Sequence, residues 1–299
     1  MDTIDDRKAR IQPLNKFWYG NKVAGIDCLR LDLLHPVVSG NKWYKLRLNV
    51  DYAKENNYTT LLTFGGGYSN HLVATAFAAR MFGLKSIAIV RGKYPELTPT
   101  LRDCTEYGMK LIFVTKEDYN NNNEPEWLRE LVDEFDELYI VPEGGANERG
   151  RLGAGLIQFH IGEQYTHVIT AVGSGTTLAG LRNKLPAEQH MIGFAPFKNG
   201  AYLKDQINQH INEDKKTTWE LISHDPFGGF GKWNDTLVDF MNDFYRENKI
   251  PLDIIYTAKM CFNLQQLLMD NYFSSCDNLL VIHSGGLQGN VSVRNKLIF

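Results

Sequence analysis

Short apolar runs that alternate with helix-length segments constrain this chain more than any other feature. TLLTF (60–64), SIAIV (86–90), MKLIFV (109–114) and ELYIVPE (137–143) are too short for core helices and read as buried strands. Between them lie Ala-rich or amphipathic stretches, LVATAFAARMFG and PEWLRELVDEF among them. The same alternation returns with THVITAV (166–172), MIGFA (191–195) and LLVIHS (279–284), and AGIDCLRLDLL (24–34) reads as an earlier strand. Strands separated by helical crossovers predict parallel sheets of the α/β class, doubly wound and covered on both faces. AGLIQFHIGEQY (154–165) reads as a helix fed by a glycine-rich loop near residue 150. The stretch between Lys198 and Trp233 reads as polar and irregular, and Asn120–Asn123 as a polar loop.

Composition narrows the function classes. The chain has 299 residues, enough for one large domain or two smaller ones. Its formal net charge of −3 gives no reason to expect nucleic acid or an anionic membrane as partner. No apolar run approaches ~18 residues, and MDTIDDRKARIQPL has no apolar leader core. Cys28, Cys104, Cys261 and Cys276 lie far apart without metal-like pairing, which suits reduced thiols in a cytoplasmic protein.

Two turns carry the chemistry. In SGNKWYKL (39–46) a small-residue turn delivers Lys42 and Lys45 to the start of a helical run. Lysine is a poor choice there, because the helix N-terminus already presents partial positive charge. An anion held at the turn would make sense of two lysines, one as a point charge and one as an amine nucleophile whose pKa the other lowers. The second turn, GSGTTLAG (173–180), follows a strand and opens a helix, so its backbone N–H groups suit a phosphate. A dinucleotide site would want an acid after the next strand, and MIGFAPFK ends without one. The loop therefore reads as a single-phosphate site. A serine-hydrolase reading lacks the G-x-S-x-G elbow, and no His or acid pair has metal-ligand spacing.

SGNKWYKL, GGYSNH, VGSGTTLAGL, LDIIYTAKM and IHSGG occur in the order found in pyridoxal-phosphate enzymes of the tryptophan synthase β-like fold (fold type II). Nearly the whole chain resembles the group containing 1-aminocyclopropane-1-carboxylate deaminase and D-cysteine desulfhydrase. The resemblance implies a two-domain, three-layer parallel-sheet fold. Residues 46–154 would form the smaller domain and 1–45 with 155–299 the larger one, the active site lying between them and the phosphate site in the larger. It implies pyridoxal 5'-phosphate as cofactor, a small amino acid as substrate and a homodimer. By position, Lys42 resembles the Schiff-base lysine and Lys45 its partner near the phosphate. Asn70 resembles the contact to the ring hydroxyl, while Ser69 and His71 stand where the substrate carboxylate is received. Gly173, Ser174, Gly175, Thr176 and Thr177 match the phosphate cradle. Tyr256 matches the active-site tyrosine, and Ser284 the hydroxyl facing the pyridine nitrogen.

Plainer roles stand beside these: a helix cap for Ser69, a surface histidine for His71, a core tyrosine for Tyr256, a structural His283. The chain also departs from the cyclopropane deaminases. They carry an acid after the tyrosine and no hydroxyl in the last turn, where this chain has Thr257 and Ser284. A neutral partner leaves the ring nitrogen unprotonated, which favours elimination of a good leaving group. Phe230 stands where a second tyrosine is common. The expected activity is thus β-elimination of the D-cysteine desulfhydrase type, giving keto acid, ammonia and sulfide. The cyclopropane deaminase is the alternative, and a non-catalytic cofactor-binding protein or a nucleotide-dependent oxidoreductase are readings of other classes.

Overall fold

The computed structural model describes residues 4–120, 137–197, 200 and 202–299. The expected helix 125–135 and residues 121–123 of the expected loop lie outside them. Among the described residues, β3 (Thr60–Gly66), β4 (Lys85–Arg91), β5 (Met109–Val114) and β6 (Leu138–Val141) form one sheet. Its order is β5-β4-β3-β6, and every pair is parallel. β3 is buried along all but its last residue, which is why its sequence is a continuous apolar run instead of an alternating one.

The second sheet has the order β1-β2-β10-β7-β8-β9. Its members are β1 (Ile11–Pro13), β2 (Gly25–Arg30), β7 (His167–Ala171), β8 (His190–Phe194), β9 (Trp219–Ile222) and β10 (Asn278–His283). Only β1 runs antiparallel, with Ile11 opposite Leu29. The parallel class expected from the sequence is therefore the observed one, with short edge strands that the sequence did not announce. β9 and the helix Tyr202–Asn208 fall in the stretch expected to be irregular. They are short and only partly buried, so they carry little periodic signal; a hydrogen bond from Trp219 Nε1 to Asn208 Oδ1 (3.2 Å) joins them. β2 stops at Arg30 instead of Leu34, where a buried Arg30–Asp32 ion pair (2.7 Å) accompanies the turn 31–33.

The glycine-rich stretch near residue 150 is helix, not loop. Asn147 Oδ1 accepts the Gly150 N–H (2.7 Å) and starts the helix Glu148–Gly155 well ahead of the expected one; a 3₁₀ turn, Leu156–His160, follows. Its glycines are packing residues. A Cβ on Gly153 would stand 2.0 Å from the Tyr44 carbonyl oxygen, inside the helix Asn41–Glu55. A Cβ on Gly180, in the helix Thr176–Lys184, would stand 2.2 Å from the Arg151 carbonyl oxygen. Three helices thus meet backbone to backbone. The junctions 45/46 and 154/155 of the expected domain division both fall within helices of this group.

Candidate active site

The quoted turns converge at the C-terminal ends of β3, β6, β7 and β10, the edge where open parallel sheets present their loops to ligands. The last turn and the first pack directly on each other. A Cβ on Gly40 (φ +64°) would stand 1.9 Å from the Ser284 carbonyl oxygen, and the Asn41 N–H donates to that oxygen (3.2 Å). Only glycine allows both the left-handed backbone and this approach. Asn41 then bridges two motifs: its Oδ1 accepts from Lys42 Nζ (2.9 Å) and its Nδ2 donates to Thr177 Oγ1 (2.9 Å). Within the glycine loop, Ser174 and Thr176 hydroxyls lie 2.8 Å apart.

Both lysines sit in the first turns of the Asn41–Glu55 helix. Burial pushes the Lys42 amine down to about 8, with Asp253 pulling partly the other way. Lys45, 4 % exposed, is held well below the ordinary lysine value, by burial first and by Lys42 second. Its amine makes no hydrogen bond or ion pair among the described residues and lies beside the Gly144–Ser174 contact. Burying such a group without a partner is costly.

Side chains cap the helices Asn70–Met81, Pro99–Glu106, Glu148–Gly155 and Asp235–Asn248. The helices Asn41–Glu55 and Thr176–Lys184, which begin at this site, have no side-chain cap. Beyond the Asn41 N–H, which the Ser284 carbonyl takes, the starts of these helices and the Lys45 amine offer donors without side-chain partners, an arrangement that suits an anion. Gly175 (φ +76°) leads into the second of these helices, and a Cβ there would meet Ile207 at 2.3 Å.

Tyr256 covers the glycine loop, its hydroxyl 3.1 Å from where a Cβ of Gly173 would be. Burial, then Asp253 and Glu143, raise its hydroxyl above the ordinary tyrosine value, so it stays protonated. The Phe230 ring meets Tyr256 edge-on at 5.8 Å. The Asn70 amide lies 3.2 Å from the Cβ position of Gly286, opposite Asp253.

A family model described as pyridoxal-phosphate dependent enzyme matches residues 20–285. The chain belongs to that family. A Thermotoga maritima protein provisionally named 1-aminocyclopropane-1-carboxylate deaminase is 28% identical over 289 residues, covering 90% of this chain and 91% of its own. The Arabidopsis thaliana mitochondrial bifunctional D-cysteine desulfhydrase/1-aminocyclopropane-1-carboxylate deaminase is 26% identical, covering 87% and 72%. A solved structure described as an ACC deaminase homologue superposes with a TM-score of 0.82 at 25% identity, covering 100% and 95%. The fold is that of fold type II pyridoxal-phosphate enzymes, as the motif order implied. The oxidoreductase reading of residues 173–180 falls with this assignment.

Pyridoxal phosphate, the cofactor of this family, fits the residues present. Its phosphate answers the unpartnered Lys45 and the two uncapped helix starts, and Lys42 offers a poised amine beside them. The resemblance also singled out Ser69 and His71, whose settings differ. The Ser69 hydroxyl accepts the Leu72 N–H (3.4 Å) as the cap of its helix. His71 is buried, not on the surface, and bonds Thr63 Oγ1 through Nε2 (2.9 Å). Burial and then the charges of Lys45 and Lys42 keep it well below its ordinary value, hence neutral. Thr257 is fully buried, its hydroxyl accepting the Asp253 N–H (2.7 Å). His283 is buried as well, with Nε2 2.6 Å from the Pro251 carbonyl oxygen.

Sequence reading passed over Asp253. Its carboxylate accepts the N–H groups of Ile255 (3.1 Å), Tyr256 (3.0 Å) and Thr257 (2.7 Å), fixing the start of the Thr257–Met269 helix. An acid three residues before an aromatic and four before a threonine, ahead of an apolar helix, was the available signal. Among the described residues, no group of His, Cys, Asp and Glu could hold a metal ion, and no helix is long and apolar enough to cross a membrane.

Proposed function

We propose that this pyridoxal-phosphate dependent enzyme removes a leaving group from the β-carbon of a small D-amino acid, in the manner of a D-cysteine desulfhydrase. Overall, D-cysteine and water would give pyruvate, hydrogen sulfide and ammonia. The observation that carries the reading is the Ser284 turn. A neutral hydroxyl residue stands there against Asn41, while Asp253, the acid beside that turn, has both oxygens occupied by backbone N–H groups.

When bound, the cofactor supplies an electron-withdrawing carbonyl for the substrate amine. Lys45, Ser174, Thr176, Thr177 and the N–H groups of the 173–177 loop would hold its phosphate. Lys42 would hold its carbonyl, and Asn70 and Ser284 would flank its ring. Lys42 Nζ would take the α-proton, its lowered pKa favouring the unprotonated amine. The uncharged Tyr256 hydroxyl donates to the departing group. Ser69, at the start of its helix, would receive the substrate carboxylate, with His71 two residues on buried and neutral. Residues 46–154 would form the smaller domain, supported by a β3–β6 sheet drawn entirely from them. The homodimer implied by the resemblance and the cytoplasmic location suited to unpaired cysteines complete the reading.

The test is a panel of D-cysteine, β-chloro-D-alanine and 1-aminocyclopropane-1-carboxylate, with sulfide, chloride and ammonia all recorded. Elimination from the first two should exceed ammonia release from the third. The cyclopropane substrate has no α-proton, so its ring would have to be opened by another group. Tyr256 over Gly173 is the observation that favours that second reading. Faster turnover of the cyclopropane substrate would overturn the argument from Ser284, and binding without any turnover would leave a cofactor-binding protein.

A further inference from the structure

The segment DPFGGFGKW (225–233) carries Phe230 to the active site, and a buried charge holds its base. Lys259 lies on the first turn of the Thr257–Met269 helix, three residues after Tyr256. Its side chain is 2 % exposed and that of Asp225 fully buried, with Nζ 2.8 Å from Asp225 Oδ2. The same Nζ donates to the Gly229 carbonyl oxygen (2.8 Å), and the other carboxylate oxygen accepts the Phe227 N–H (2.8 Å). One ammonium therefore ties the loop at two points to the helix that presents Tyr256. Between and beyond these ties the backbone runs through Gly228, Gly229 and Gly231 at φ +102°, +107° and +73°. Such a glycine-rich path has little stiffness of its own.

At the tip, Phe230 is 52 % exposed yet aligned, stacked on Phe197 (5.4 Å, 15° between planes) and edge-on to Tyr256 (5.8 Å). A half-exposed phenylalanine held between two rings beside the reactive groups is a wall facing the site. It offers no hydrogen-bond partner.

We propose that Lys259 and Asp225 are positioning residues: they fix Phe230 as an apolar wall that the substrate's β-substituent meets. The substrate class is thereby narrowed to amino acids with a soft, weakly hydrated leaving group, a thiol or a halide, against a hydroxyl. Sulfur contacts aromatic rings favourably, whereas a hydroxyl placed against Phe230 loses water without gaining a partner. This selectivity rests on the elimination reading above; the anchor does not.

Two variants of the holoenzyme test it, Phe230→Ala and the double variant Asp225→Asn/Lys259→Met. The double variant removes both charges together, because removing one alone would strand the other in the interior. Hydrogen exchange of the 227–231 amides reads the anchor, and relative kcat/KM for D-cysteine over D-serine reads the wall. In the double variant the loop amides should exchange faster while those of the 260–268 helix do not. The cysteine-to-serine ratio should fall roughly 10-fold in both variants. Combining them should lower it no further, since both remove the same wall. Unchanged exchange in the double variant overturns the anchor, whatever the substrate. Accelerated exchange with an unchanged ratio overturns the wall and leaves a merely structural tie. A wild type that eliminates from neither substrate overturns the elimination reading, and the exchange result then decides the anchor alone.

Discussion

Lys42 and Lys45 lie three positions apart, yet the structure gives them different settings. Burial lowers the Lys42 amine and the field of Asp253 opposes the fall, so it comes down to about 8. In the cofactor-free protein, amine-selective labelling of Lys42 followed against pH should therefore show a midpoint near 8. Asp253→Asn should move it lower, because that carboxylate opposes the fall; an unchanged or higher midpoint would refute the assignment. The same shift bears on stability. With a folded pKa of about 8 against about 10.4 unfolded, the unfolded chain binds the extra proton between those values. Lys42 thus makes the cofactor-free protein more stable as pH rises through that window. Lys45 makes no hydrogen bond or ion pair among the described residues and is buried. Lys45→Met should stabilise the cofactor-free protein, since an apolar side chain of similar length belongs there better than an unpaired amine. It should also weaken cofactor binding. Urea unfolding with and without pyridoxal phosphate would show the crossover, and a variant destabilised in both states would refute it.

Among the elements, the helix Glu148–Gly155 shows how packing overrides propensity. Three of its eight residues are glycine, a composition that costs roughly 1 kcal/mol per residue relative to alanine. The gain lies outside the helix, in the approach of its backbone to Tyr44, and in that of the Gly180 helix to Arg151. Gly153→Ala should accordingly lower stability by about 1–3 kcal/mol, although an isolated helix would gain about 1. Urea unfolding of the holoenzyme decides the sign, and a neutral or stabilising result would mean the crossing is loose. The crossing bears on the proposed function because Tyr44 lies next to Lys45, so displacing one helix displaces the amine proposed to meet the phosphate.

Across the whole molecule, the site is assembled from β3, β6, β7 and β10 of two separate sheets, and a ligand spanning them should stabilise the fold as a unit. Pyridoxal phosphate at ~100-fold over its dissociation constant contributes about 2.7 kcal/mol. For a chain of this size that raises the melting temperature on the order of 5 °C. Lys42→Ala should abolish borohydride-reducible cofactor attachment while retaining part of that rise, because Lys45 and the helix starts still face the phosphate. A complete loss of the shift would mean that the covalent link alone holds the cofactor.

The sequence by itself determined the parallel α/β class, since buried strands and crossover helices each leave a local periodic mark. It also determined the two-lysine turn and the glycine loop, whose residue types make little sense without an anion. Only the tertiary structure decided which turns meet. Gly40 on Ser284, Asn41 on Thr177 and Tyr256 over Gly173 are contacts between residues 83 to 244 positions apart, and no local pattern encodes them. It likewise decided that the glycines near residue 150 are packing surfaces, because a missing side chain looks the same in a turn and at a helix crossing. His71 and Asp253 owe their roles to burial: each is an ordinary polar residue in the sequence, and the removal of water makes one neutral and the other the cap of the Tyr256 helix.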